Sequence, residues 1–297
     1  MAGFYLIYVL ACFGAQFNDV YIFKRYQLEN GASLRSNVMY LILNGFIYAG
    51  VSALALLFQR EPIVFSWYSL LFAFGVVACA GTYMIILMKA YEWGQIATAM
   101  IFSSMGSIIL TCSCGILLLG EALTVPKAVS ILLMLLALML ITDRNGEKFN
   151  KKLIWMYLLI ASCASGVTML YKYHQISDPS LAVDTYSFSV WVGLMRVLVF
   201  SAFIPHFIRT QGRSSLRHTR KSFTCAVISA VIVAVTQIMS LISLAILPVS
   251  VTSPLCTAIT ILVSVLVPWI SYHERLNRKQ IAGAVFSLIG ALLFVVN

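Results

Sequence analysis

Residues 143–152 read Asp-Arg-Asn-Gly-Glu-Lys-Phe-Asn-Lys-Lys, a polar and charged stretch set between two long apolar runs. It cuts the 297-residue chain into halves of nearly equal size, 1–142 and 153–297. A helix needs about 20 apolar residues to cross the hydrocarbon core of a bilayer, because there the backbone must satisfy its own hydrogen bonds. Before the loop such stretches fall at 3–23, 38–58, 66–88, 97–119 and 124–142. After it they fall at 153–172, 186–208, 223–245, 250–271 and 280–296. The expected fold is all-α and membrane-integral, with ten transmembrane helices in two five-helix units. The links at 120–123 and 246–249 are so short that the helices they join form antiparallel hairpins.

Composition excludes a soluble globule. Apolar residues make up 61% of the chain and charged residues 10%, with a mean hydropathy of +0.94. Soluble domains hold about 45–50% apolar and about 25% charged residues. A soluble protein of this size buries about three quarters of its surface, and the polar remainder here is too small to cover the outside. The lipid bilayer is therefore the expected partner of most of the surface. Phe4 to Phe17 follows Met1 with no preceding Lys or Arg and no small-residue cleavage site, so it reads as a retained first span rather than a signal peptide. All seven cysteines lie inside apolar segments, where Cys packs as a small apolar residue.

The halves repeat. A shift of 152 positions pairs Tyr5 with Tyr157, Leu6 with Leu158, Gly14 with Gly166 and Tyr21 with Tyr173. A shift of 153 pairs Ile108 with Ile261, Glu121 with Glu274, Leu123 with Leu276 and Leu135 with Leu288. These identities are sparse, but one nearly constant offset also superposes the gaps between spans. Five spans per half is an odd number, so the second half enters the membrane from the opposite side. Inverted repeats of this kind recur in secondary transporters, where two equivalent halves rock between outward-open and inward-open shapes.

Charge fixes an orientation. Links after odd-numbered spans carry sixteen Lys and Arg, among them Lys24, Arg25, Lys151, Lys152 and Arg278. Links after even-numbered spans carry only Arg60, Lys127 and Lys172. By the positive-inside rule the odd links face the cytoplasm and both termini lie outside. The net charge of +10 thus expresses topology and contact with anionic lipid, not nucleic-acid binding.

The turn Gly120-Glu121-Ala122-Leu123-Thr124, its counterpart Glu274-Arg275-Leu276-Asn277, and the small-residue-rich starts of the fourth and ninth spans resemble the EamA-like ten-helix members of the drug/metabolite transporter superfamily. The resemblance covers nearly the whole chain. It implies a cavity near the midplane lined by spans one to four and six to nine, with spans five and ten peripheral. It also implies substrates that are small metabolites, amino acids, nucleobase-like compounds or cations, often exported and often coupled to protons. Two departures stand out. The family usually keeps both termini cytoplasmic, against the charge bias here. Its small multidrug members hold an acid in the middle of the first helix, whereas here Gln16 is neutral and Asp19 lies lower down, which weighs against proton-coupled drug efflux.

Arg196, halfway along the seventh span, is the leading site candidate. A charge at that depth costs several kcal/mol unless it faces protein or water. It anchors a substrate carboxylate or phosphate, or it is a structural Arg paired within the protein. Trp191, Asn44, Gln237, Gln16, Tyr48, Tyr83, Ser104 and Thr168 complete the substrate-binding candidates, since ligand pockets are mostly apolar with a few directed polar groups. For any one of them packing is the better reading, because Ser and Thr bond their own helix backbone and membrane helices use polar residues as glue. Lys89 and Lys172 read as snorkelling residues, and Glu121 and Glu274 as complements to helix N-terminal dipoles. Pro254 and Pro268 free backbone carbonyls in the ninth span, so irregular backbone is expected at 250–257.

The function expected is secondary transport of a small metabolite across the cytoplasmic membrane by alternating access, with no cofactor, metal or catalytic residue. A phosphate-cradling Gly-Lys-Ser/Thr loop is absent, leaving a coupling ion, proton or sodium, or facilitated diffusion. Monomer and homodimer both fit. Two other readings stand beside this one. An organic cation held in a cage of tyrosines is the first. An integral-membrane enzyme is the second, and it lacks support because His174, His206, His218 and His273 fall in or beside different links, without metal-site spacing.

Overall fold

The computed structural model describes residues 2–30, 33–93, 103, 106–111, 113, 124–142, 151–211, 220–246, 249–273 and 278–295. Their regular structure is helical throughout. The first crossing is α1 (Ala2–Phe17), which runs through a π-helical turn (Asn18–Ile22) directly into α2 (Phe23–Asn30). There follow α3 (Leu34–Gln59), α4 (Trp67–Trp93), α5 (Val125–Thr142) and α6 (Lys151–Ile176). Next come α7 (Thr185–Ser201), α8 (Ile204–Gln211), α9 (Arg220–Ile246), α10 (Val249–Tyr272) and α11 (Arg278–Val295). Among the described residues, six helical stretches are long and apolar enough to cross a membrane: Tyr5–Glu29, Leu34–Gln59, Trp67–Leu87, Ile154–Ile176, Thr185–Arg209 and Arg220–Ser243. The helices α5, α10 and α11 hold shorter apolar stretches, Ala128–Ala137, Cys256–Ser271 and Ile281–Gly290. Most of the fourth expected span, Ser104 within it, and the turns at 120–123 and 274–277 lie outside the described residues, as does loop 143–150.

Local chemistry explains several helix ends. Ser33 caps α3, its hydroxyl accepting from the Ser36 N–H at 3.2 Å, and Asp184 caps α7 by accepting from the Tyr186 and Ser187 N–H groups. Each such side chain satisfies a donor that the first helical turn leaves unpaired. At its other end α3 closes on Arg60 in the left-handed region (φ 59°), whose N–H turns back to the carbonyls of Leu56 and Leu57. Irregular backbone does not occur where the prolines suggested it. The helix α10 passes through Pro254 and Pro268 unbroken, and the departure from α geometry falls instead in the first span at 18–22.

Most of the packing runs between halves. Thus α3 lies against α7, α5 against α11, α4 against α6, and α1 against α9 and α10. Further contacts join α3 to α9, α4 to α7, and α10 to α11. The α3–α7 crossing is the tightest point: a Cβ on Gly193 would sit 2.7 Å from the Ala49 nitrogen, and one on Gly45 would sit 2.8 Å from the Gly193 carbonyl oxygen. In lipid, helices gain little from hiding apolar surface from one another, so association depends on close packing of small residues. The buried positions fit that rule, with Ala11, Ala73, Ala226, Ala230, Ala234, Ser52 and Ser222 inside. Many large apolar side chains point outward, among them Leu57, Phe58, Trp67, Leu71 and Trp155, while Phe23, Leu56, Leu87 and Phe188 fill the interior.

Candidate functional site

Six crossings leave a cavity of about 240 Å³ between them, walled by α1 with its π turn, α3, α4, α6, α7 and α9. Two charged side chains line it, Asp19 and Arg196.

Asp19 reaches the cavity from the π turn. There the Phe23 N–H bonds to the Asn18 carbonyl, one residue beyond the α-helical spacing. A π turn inserts one residue into the helix and re-aims the side chains beside it, which is why such turns recur at functional sites. Asn18 donates from its amide nitrogen to the Asp19 Oδ1 at 3.2 Å, and Asp19 makes no ion pair among the described residues. The Gln16 Oε1 and Asn18 Oδ1 atoms flanking it are buried without a hydrogen-bond partner among the described residues.

Arg196 enters from the opposite half, on α7. Its guanidinium donates to the Asn44 Oδ1 on α3 and lies 5.8 Å from the centre of the Tyr48 ring. A neutral amide and a ring face stabilise the cation without cancelling its charge. Tyr48 is itself tied down, its hydroxyl donating to Ser189 at 3.0 Å. Tyr40 stands within electrostatic reach of both Asp19 and Arg196 and shares a 2.6 Å hydrogen bond with Ser229 on α9. The remaining wall is apolar and aromatic, with Tyr83, Met84, Val167, Tyr171 and Val233, plus the polar Thr236 and Gln237.

Of the residues singled out from the sequence, Arg196, Asn44, Tyr83 and Gln237 meet in this cavity. Tyr48 supports Arg196 from outside the cavity wall. Three others go elsewhere. Trp191 donates from its indole nitrogen to the Val64 carbonyl at 2.8 Å, at the far end of α7. Thr168 bonds its own helix at the Ala164 carbonyl. Gln16 sits beside the cavity rather than in its lining. Asp19 is the residue that sequence reading set aside. An α-helical wheel sets it on the face of Ala15, one turn on, and Asn-Asp inside an apolar run was the available signal.

Twelve of the fifteen lining residues form six pairs separated by 152 or 153 positions: Ala15 with Val167, Asp19 with Tyr171, Asn44 with Arg196, Ala80 with Val233, Tyr83 with Thr236, and Met84 with Gln237. Backbone positions repeat while the chemistry does not. Asn44 and Arg196 are partners both in this register and in the hydrogen bond that joins them.

The described residues thus form an all-helical, multi-pass membrane protein with a mostly apolar cavity among its spans that holds two charged side chains. Residues 151–296 match the EamA-like transporter family, part of the drug/metabolite transporter superfamily. The members of that family are transporters rather than enzymes. A solved crystal structure shares the fold, aligning over 100% of this chain and 97% of its own with a TM-score of 0.68 at 14% identity. No curated protein matches the sequence.

Proposed function

We propose that the protein is a secondary transporter of the cytoplasmic membrane that carries a small zwitterionic or anionic metabolite by alternating access, with Arg196 as the anchor for its carboxylate. The observation that carries this reading is a guanidinium in an intramembrane cavity with a neutral partner, Asn44, in place of an acid. A charge kept uncompensated at that depth is costly unless it has work to do. Asp19 in the same cavity favours a zwitterion over a simple anion, since it offers a second pole of opposite sign. The cavity lies below the roughly 300 Å³ at which drug-sized pockets begin, which favours a metabolite over a large drug.

Alternating access rests on a ten-helix inverted repeat of units 1–142 and 153–297. Two observations support it. The six lining pairs keep the register of the sequence repeat. The interhelical contacts also map onto themselves when the halves are exchanged: α1 on α9 corresponds to α6 on α4, α3 on α9 to α7 on α4, and α3 on α7 and α5 on α11 each to itself. A two-fold pair related this way can close one mouth while opening the other.

An organic cation is the second reading, because Asp19 stands with Tyr40, Tyr83 and Tyr171 around the same space. Thermal shift of the purified protein decides between them. Amino acids or organic acids that stabilise the wild type and not Arg196→Ala support the anchor. Stabilisation by quaternary amines alone, lost in Asp19→Asn and kept in Arg196→Ala, replaces it with the cation reading.

A further inference from the structure

Away from the cavity, two links meet on one face of the molecule, 60–66 between α3 and α4 and 177–184 between α6 and α7. Hydrogen bonds stitch them together. The Ser66 hydroxyl donates to the Leu181 carbonyl at 2.6 Å, Tyr68 and Ser177 share a bond of 2.6 Å, and the Val64 N–H donates to the Ser187 hydroxyl at 3.1 Å. The Val183 N–H donates to the Ser69 hydroxyl at 3.1 Å, and that hydroxyl is also 2.9 Å from the Nε2 of His174. By the charge bias of the links this is the non-cytoplasmic face.

His174 is 3% exposed, at the core of these bonds. Its ring stacks on Phe188 of α7 at 3.7 Å between centroids, with Tyr68 and Phe72 of α4 against it. Ser69 is its hydrogen-bond partner among the described residues. Tyr68 is the titratable group that faces the ring from α4, Phe188 faces it from α7, and Tyr171, Lys172 and Tyr173 neighbour it along α6. The acids of the adjoining link are turned to backbone: Asp178 accepts from the Ser180 N–H and Asp184 from those of Tyr186 and Ser187. A neutral imidazole fits this setting in either tautomer. A protonated one has two N–H donors for one acceptor and a full charge with no counter-ion against it.

We propose that His174 is a proton-binding site that latches this face: the neutral ring holds links 60–66 and 177–184 together, and its protonation releases them. Histidine is the side chain whose ordinary titration falls between about pH 5 and 8, so protons on that face act as the ligand. Asp178 does not share the role. Its carboxyl is held below the ordinary range by the Ser180 N–H and stays ionised through that interval. The latch goes beyond the transport reading and presumes only that this face opens.

The test is a distance measured by electron paramagnetic resonance between spin labels at the exposed positions Glu61→Cys and Ser180→Cys, with the seven native cysteines replaced, in lipid nanodiscs at pH 8 and pH 5. Acidification is expected to lengthen the distance by about 5 Å, the scale of one helical turn. His174→Gln should stay at the short distance at both pH values, and Asp178→Asn should respond like the parent. A triple variant, His206→Gln with His218→Gln and His273→Gln, provides the complementary measurement with the His174 site untouched. It leaves His174 as the sole histidine and should retain the whole shift. A parent distance that does not change with pH, a full shift in His174→Gln, or its loss in the triple variant each overturns the latch. The readout needs no substrate, so an absent flux or an absent Arg196-dependent ligand sinks the transport reading without touching this result.

Discussion

Arg196 is the residue whose partner decides what the cavity recognises. With Asn44 opposite, its charge stays available; with an acid there it is consumed. Asn44→Asp is therefore expected to give a folded protein, melting within a few degrees of the parent, that no longer gains stability from any carboxylate ligand. Retained ligand stabilisation in that variant, followed by detergent melting curves, argues for a structural Arg196. Gly193 makes a second prediction at this scale. Its missing side chain admits the Ala49 backbone, so Gly193→Ala forces α3 and α7 apart and should cost about 1–3 kcal/mol, the range for overpacked sites. The midspan position of Arg196 was legible from hydropathy alone. Its pairing with Asn44, 152 positions away, was not, because a hydrogen bond across the interface of two halves leaves no trace in local sequence.

The π turn in the first span shows an element overriding its periodicity. Phe4 to Phe17 reads as helix, and so do Phe23 to Asn30, but the extra residue between them shifts the helical face by about 100°. Asp19 lies at the start of the turn, four residues after Ala15 on the same cavity face, and the shift re-aims the residues that follow it. Deleting one residue from 20–22 should restore regular α geometry, keep the protein monodisperse and leave the effect of Asp19→Asn on ligand stabilisation in place while α2 is re-aimed; ligand melting curves of the deletion protein with and without Asp19→Asn check this. A deletion protein that no longer responds to Asp19→Asn would show that the turn does position the carboxylate. Span existence and length follow from apolar runs because lipid penalises any unpaired backbone group. A π turn satisfies its hydrogen bonds as well as an α turn does, so hydropathy carries no signal for it. Proline gave the opposite misdirection at 250–257, where the neighbouring turns of α10 accommodate Pro254 without leaving helical geometry.

At the scale of the whole molecule, charge on the links predicts that both termini face away from the cytoplasm. Impermeant labelling of single cysteines at residues 3 and 297 in intact cells should modify both, and labelling only after lysis reverses the orientation. The sequence by itself determined the medium, since 61% apolar residues leave too little polar surface for water. It also determined the helical class, because that depends on composition and run length. Tertiary structure decided which residues meet. It placed Asp19 and Arg196 around one space, sent Trp191 to a link, and enclosed His174 between α4, α6 and α7. Those outcomes depend on helix rotation and crossing, which close packing between distant segments sets and which no local pattern records.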